Sequence, residues 1–325
     1  MMKNTTNGNG LGPTDVGTWY CTYYNDDWDT VGGTAYPPTM YRPLCSDKPG
    51  DYRAYNSADI SVIDYHLRQI ANAKIDFILF ELSPLRFFED RPHEHIFIEN
   101  ARVVARRLKI WNDGNPWKIK YAIAAGAHAG VFHGDPIGTY MEKTAQNVYD
   151  TFYNDPDYGG PDNYYQLNGK QLLVFWGRMN KNEPAWNSYE GSKTYGDRFS
   201  IRYAQDVQSG SYGWNIYESG PVIHPEVEVA SPGWGHYTRT DTPYVSRQRG
   251  DFYEKCWQTI LQNPRPAIVM IVAFNDYWEN TAVWTSDTAL LTDADQWIGH
   301  DGKQHPSMYW DMTVRNIGIL RGEND

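Results

Sequence analysis

The sequence has little cysteine: three residues in 325, at Cys21, Cys45 and Cys256. That is too few for a disulfide scaffold, and their spacing matches no zinc site. A Cys21–Cys45 bridge stays open on spacing alone, and Cys256 reads as a buried thiol on a helix face. No apolar run reaches the ~18 residues of a membrane-spanning helix, so no membrane insertion is expected. Positive charge is short, with 29 Lys and Arg against 40 Asp and Glu and a net charge of −11. Such a surface disfavours nucleic acid and anionic membranes as partners. No glycine-rich phosphate turn follows a strand-like run, which weakens nucleotide binding. His93, His95, His224 and His236 lack metal-ligand spacing, so no zinc hydrolase and no cofactor is expected. What the chain has in excess is aromatic residues: 13 Trp, 25 Tyr and 11 Phe, beside an ordinary 41% hydrophobic content. That composition excludes a disordered chain.

Residues 1–14 have no apolar signal core. Their Asn/Thr/Gly bias reads as a flexible N-terminal segment of the kind that follows a removed signal peptide, which favours an extracellular or periplasmic location. From residue 15 to 325 the pattern is that of one domain. Strand-like runs at 16–24, 75–82, 119–127 and 171–177 alternate with helical stripes. The first helix is capped by Ser57 and repeats Ile60, Ile63, Leu67 and Ile70; the second carries Ala101, Val104, Ala105, Leu108 and Trp111. The third carries Ile137, Met141, Ala145, Val148 and Phe152. Alternation of this kind predicts a parallel sheet. Runs at 199–205, 212–218 and 227–234 supply strands five to seven, with crossovers shorter than a parallel connection normally needs. One of the three is therefore misread, or two helices are vestigial. A helix over 246–261 with Phe252, Cys256 and Ile260 inward, the strand 267–274, and a last helix with Tyr309, Met312, Ile317 and Leu320 complete the pattern. Eight strands and their helices give a single (β/α)8 barrel, with irregular crossovers around strands five to seven; an open doubly wound sheet is the alternative.

In a barrel the site lies at the C-terminal strand ends. Those ends offer Tyr23, Asp26 and Trp28 after strand one, Glu81 after strand two and His128 after strand three. They offer Trp176 and Arg178 after strand four, Gln205 after strand five, and Tyr217 with Glu218 after strand six. Strand seven ends at Trp234, and strand eight runs into Asn275, Asp276, Trp278 and Glu279. Aromatic faces pack on sugar C–H surfaces while carboxylates and amides hold hydroxyls, so this inventory suits an oligo- or polysaccharide. The aromatic excess at strand ends then reads as the lining of a cleft.

F-N-D-Y-W-E-N at 274–280 is the sharpest feature. An apolar strand ends in two carboxylates three positions apart, Asp276 and Glu279. Glycoside hydrolysis generally uses a carboxyl pair, one protonating the leaving oxygen and one acting as base or nucleophile. Acids held close together drive their pKa values apart, so one stays protonated while the other ionises. The plain alternative is that both are loop residues or caps of the next segment. A second arrangement would use Glu81 with Asp206 or Glu218.

N-D-Y-x-E resembles the N-D-Y-G-E-S segment of glycoside hydrolase family 71, the α-1,3-glucanases. It is also similar to the F-N-E-W-x-E-G-T segment of family 99, the endo-acting α-mannosidases. G-T-W-Y at 17–20, Y-x-x-N-G-K-x-L-L-V-F at 165–175 and V-A-S-P-G-W at 229–234 resemble further stretches of the same group. The resemblance implies a hydrolase of α-linked glycans with Glu279 as general acid and Asp276 as general base. In family 99 the first acid assists the sugar's own 2-hydroxyl, whereas in family 71 it activates water. The chain departs from family 71 at Trp278, where that family has Gly, and from family 99 after the second acid, where Asn280 and Thr281 stand for that family's Gly-Thr. The rival from another class is a catalytically silent barrel that binds polysaccharide.

Overall fold

The computed structural model describes residues 13–25, 28, 30–31, 34–35, 41–82, 92–126, 137–176, 189–204, 214, 223–235, 245–289 and 297–323. Seven parallel strands form its centre: β1 (Asp15–Cys21), β2 (Phe77–Leu82), β3 (Lys120–Gly126), β4 (Lys170–Trp176), β5 (Phe199–Ala204), β6 (Val227–Ala230) and β7 (Ile268–Ile271). They neighbour one another in the order β6–β7–β1–β2–β3–β4–β5. Chain order is kept across the seven described strands, and β1 sits between β2 and the last strand. A doubly wound sheet reverses its order at a switch point and would not do this. The sheet is therefore curled in barrel fashion. Residues 212–218, expected as a further strand between β5 and β6, lie outside the described residues except for Trp214. The described chain is anchored from Thr14, whose hydroxyl donates to the Pro266 carbonyl at 2.9 Å; residues 1–12 of the expected flexible segment lie outside it.

The inside of the curl is set by register. Gly17 is the Cα partner of both Phe77 and Met270. A Cβ on Gly17 would lie 2.3 Å from the Phe77 ring and 2.6 Å from the Met270 sulfur, so these two side chains fill the space a larger residue would take. In-register residues share a face and alternate along a strand, which places Trp19 and Cys21, and Leu79 and Glu81, on the same inner face. Below them Tyr165 stacks on Phe77 at 3.9 Å and donates its hydroxyl to Asp15, closing the floor.

Helices cover the outer face: α1 (Ile60–Asn72), α2 (Pro92–Gly114), α3 (Ile137–Val148), α4 (Asp251–Gln262) and α5 (Met308–Leu320). The expected stripes are buried at Ile63, Leu67, Ile70, Ala101, Val104, Ala105, Leu108, Met141, Ala145, Val148 and Phe152. Ile60 is not part of its stripe. It stands 52% exposed at the first turn of α1. Ser57 is not the cap either: Asp59 accepts from the Ser61 N–H at 2.9 Å, while the Ser57 hydroxyl accepts from the Tyr24 N–H. All three cysteines are free and buried, and the Cys45 thiol donates to the Pro43 carbonyl, so the Cys21–Cys45 bridge does not form. No helix among the described residues is long and apolar enough to cross a membrane.

Glu228 is the oddity of the outer face. It alternates on β6 with Val229, the partner of inward-facing Met270, and so points toward the helices. It is 1% exposed, and among the described residues its carboxyl is close to unpartnered, with only a weak contact to the His224 backbone. Burial pushes its pKa from 4.5 to about 7. The folded state therefore holds a proton that the unfolded state releases, and stability is lost as pH rises from 4.5 to about 7. Glu228→Gln should widen its advantage in thermal midpoint over wild type between about pH 5 and about pH 8, by roughly 2–4 °C per kcal/mol regained. Thermal unfolding of both proteins across that range checks this.

Candidate active site

After β7 the main chain leaves the sheet and folds back on itself. Ala273 N–H donates to the Thr281 carbonyl, Val283 N–H to Ala273 and Trp284 N–H to Phe274. Residues 275–280 form the tip of this return. Asn275 pins the tip to β1: its Oδ1 accepts from the Cys21 N–H at 2.8 Å and its Nδ2 donates to the Cys21 carbonyl at 2.9 Å. The same amide donates to the Tyr55 hydroxyl.

Asp276 is held by four donors. Its Oδ1 accepts from the Tyr23 hydroxyl at 2.7 Å and from the backbone N–H groups of Trp278 and Glu279 at 3.2 and 3.1 Å. Its Oδ2 accepts from the Thr281 hydroxyl at 2.9 Å. The cap expectation is met here, since Asp276 does close its own turn. A carboxylate has about four lone-pair positions, so Oδ2 keeps acceptor capacity.

Glu279 accepts from the Trp234 indole N–H through Oε2 at 3.2 Å, and its backbone carbonyl accepts from Gly235 N–H. Burial, then the charges of Asp276 and Glu81, push its carboxyl from 4.5 up to about 8, against a smaller lowering by the indole. Three acids thus crowd one site. The same field acts on the neighbours. Burial first and Asp276 second raise the Tyr23 phenol and the Cys21 thiol well above their ordinary values. Trp278 stacks on Tyr23 with centroids 4.2 Å apart and planes 17° apart, so Tyr23 backs one face of that indole.

Five of the expected site residues are half-buried rather than sealed: Glu81, Trp234, Asp276, Trp278 and Glu279. Tyr23 lies directly behind them. Trp28 is placed elsewhere, 4% exposed, stacked between Tyr24 and Tyr277 with its N–H on the Tyr55 carbonyl. Asn275 is fully buried and its amide is taken by Cys21 and Tyr55. Neither presents a surface to a ligand, because packing and the strand end consume them. Trp176 ends β4 in register with Gly126, and its side chain lies outside the described residues. Asp26, His128, Arg178, Gln205, Tyr217 and Glu218 also lie outside them, as does Asp206. Thr281 is the residue that sequence reasoning missed; five positions after Asp276, its only signal was its place in the return strand.

The aromatic excess is mostly packing. Trp214, Trp257, Trp284, Trp297, Tyr20, Tyr24, Tyr41, Tyr121, Tyr158, Tyr164 and Tyr253 are all fully buried. Among the described residues, Trp234 and Trp278 are the tryptophans that stand at the carboxyl cluster.

No protein-family model matches the chain. It is 22% identical over 323 residues to the glycoprotein endo-alpha-1,2-mannosidase of Mus musculus, covering 89% of this chain and 67% of that protein. Its fold is that of the GH99 endo-alpha-mannosidase from Bacteroides thetaiotaomicron, with TM-score 0.58 at 13% identity over 95% of this chain and 98% of that one. The same enzyme in complex with bis-tris-propane gives TM-score 0.57 at the same identity and coverage. The chain thus has, at remote identity, the fold of a GH99 endo-alpha-mannosidase and a sequence likeness to an endo-alpha-1,2-mannosidase, in keeping with the family 71/99 resemblance of its motifs.

Proposed function

We propose that the protein hydrolyses an α-linked oligo- or polysaccharide, with Glu279 as general acid and Asp276 as general base. The observation that carries this reading is the placement of Glu279, held by the Trp234 indole beside Asp276 and Glu81, where burial first and the two neighbouring acids second push its carboxyl up to about 8. A carboxyl of that kind keeps its proton at neutral pH and can deliver it to a departing glycosidic oxygen. The Trp234 N–H on Oε2 fixes the plane of the acid. Asp276, with Oδ1 filled by three donors, offers Oδ2 to water or to a sugar 2-hydroxyl. Trp278, backed by Tyr23, and Trp234 form the sugar-facing walls, and Glu81 takes a hydroxyl at the floor. His128, Trp176, Arg178, Gln205, Tyr217, Glu218 and Asp26 complete the subsites, and residues 212–218 close the barrel as its eighth strand.

The mannosidase relatives and the α-1,3-glucanase motif set the panel to test: α-1,2- and α-1,3-linked manno- and gluco-oligosaccharides, with NMR of the anomer first released. Inversion is the expected outcome if Asp276 activates water. Glu279→Gln on an unactivated glycan, and Asp276→Asn on any, should cut the rate at least ~100-fold; more than about a tenth of wild-type rate in both would sink the assignment. The silent barrel predicts glycan binding by calorimetry with no reducing ends released.

Two pH measurements follow from the same raised carboxyl. kcat/KM should fall as pH rises through about 8, where Glu279 loses its proton, and not near its ordinary 4.5. Stability should behave in parallel. The folded state retains the Glu279 proton, so stability is lost as pH climbs from 4.5 to about 8. Glu279→Gln should therefore gain in thermal midpoint over wild type across that window and keep a constant gain above it.

A further inference from the structure

Arg247 is fully buried, and its guanidinium is spent on the chain that follows Glu279. Its Nε donates to Asn280 Oδ1 at 3.1 Å, and one terminal nitrogen donates to the Asn280 and Ala282 carbonyls, both at 2.9 Å. The guanidinium carbon lies 4.4 Å from the Tyr309 ring centre and 5.2 Å from that of Trp297, so aromatic rings wall the cation from the other side. Asn280 is the residue next to the acid. It is buried, left-handed at φ 52°, and its Oδ1 also accepts from the Tyr41 hydroxyl.

The segment that carries Arg247 also holds the indole that touches Glu279. Trp234 and Val245 exchange both backbone hydrogen bonds at 2.9 Å. Gly233 lets the two strands approach: it has φ 153°, and a Cβ there would sit 2.8 Å from both Arg247 Cγ and the Val245 carbonyl oxygen. Residues 245–247 therefore grip the acid from two sides, through Trp234 and through Asn280–Ala282.

We infer that Arg247 is a positioning residue, whose guanidinium fork sets the register of Glu279 against the Trp234 indole and against Asp276. A fork is needed because three acceptors on one short segment must be met from fixed directions, and an ammonium has no such geometry. The charge matters less than the shape. A misplacement on the order of 1 Å at a reacting group can cost ~100-fold in rate.

The test uses Arg247→Lys and Asn280→Gly. Glycine accepts the left-handed backbone of position 280 while deleting the side-chain acceptor, so this second variant keeps the fold should the first fail to. The kinetic arm rests on the hydrolase reading; the spectroscopic arm does not. The Trp234 indole N–H resonance should titrate with Glu279 near pH 8 in the wild-type protein, with the groups facing it being Asp276 and Glu81. Glu279→Gln, which removes that titration, assigns it. In both variants the indole should lose at least about half of its pH-dependent shift, and on a hydrolysed glycan kcat should fall ~10-fold or more with KM within about threefold. Unchanged titration in folded Asn280→Gly overturns the inference, whatever happens to its thermal midpoint or its rate. Loss of titration in a protein that hydrolyses no glycan upholds the inference and rejects the hydrolase reading.

Discussion

The site depends on a side chain doing the work of a strand. The ladder between β1 and β7 ends at Thr18 and Ile271, and beyond it Phe274 N–H still reaches the Trp19 carbonyl. The next partner of β1 is no longer backbone. The Asn275 amide presents one acceptor and one donor to Cys21, meeting its N–H and its C=O together. A primary amide has the same donor–acceptor face as a peptide group, so it completes the strand end without committing the main chain to continue it. The backbone of residues 276–280 is thereby freed to turn, and Asp276 and Glu279 come off the sheet at its inner edge beside Tyr23 and Glu81. A residue that pattern alone marks as a ligand contact is instead the reason the acids have a fixed origin.

The aromatic excess follows a related logic. Buried Tyr and Trp carry large apolar bodies with one polar tip, and the tip must find a partner. Six of the tips reach backbone carbonyls of neighbouring segments: Tyr24 to Asn275, Tyr121 to Phe152, Tyr140 to Gly126, Tyr164 to Leu172, Trp19 to Trp214 and Trp284 to Leu44. Each such contact fastens a loop or strand end onto the curled sheet. A curled sheet whose strand ends run into irregular segments has many carbonyls outside any ladder, and tipped aromatics satisfy them while filling volume. Composition shows the number of these residues but not which way each tip points. That is why Trp28 reads from sequence as a sugar platform and is found wedged between Tyr24 and Tyr277.

What the sequence made legible was whatever repeats or stops abruptly. The helix stripes over 63–70, 101–108 and 141–152 are seen because burial on one face imposes a period, and the acid pair is seen because an apolar strand ends in it. Strand order followed from alternation. Features that depend on a single distant partner were not legible. Ser57 and Asp59 are equally good caps by type, and only the approach of the Tyr24 N–H to Ser57 decides between them. Arg247 lies in an unremarkable polar stretch, and its burial beneath Asn280 and Ala282 depends on Gly233 letting two strands close.

Electrostatics give the same architecture its direction. Glu279, Asp276 and Glu81 repel one another, and no folded protein gathers three acids unless other contacts outweigh the cost. Those contacts are visible around each one: four donors on Asp276, the indole on Glu279, and a buried cation gripping the segment just beyond. Four donors hold Asp276 in place, while dry surroundings, then the charges of Asp276 and Glu81, push the Glu279 carboxyl up to about 8. Tyr23, Thr281 and Trp234 set where the two acids stand, whereas burial and the acids' own charges raise the Glu279 carboxyl.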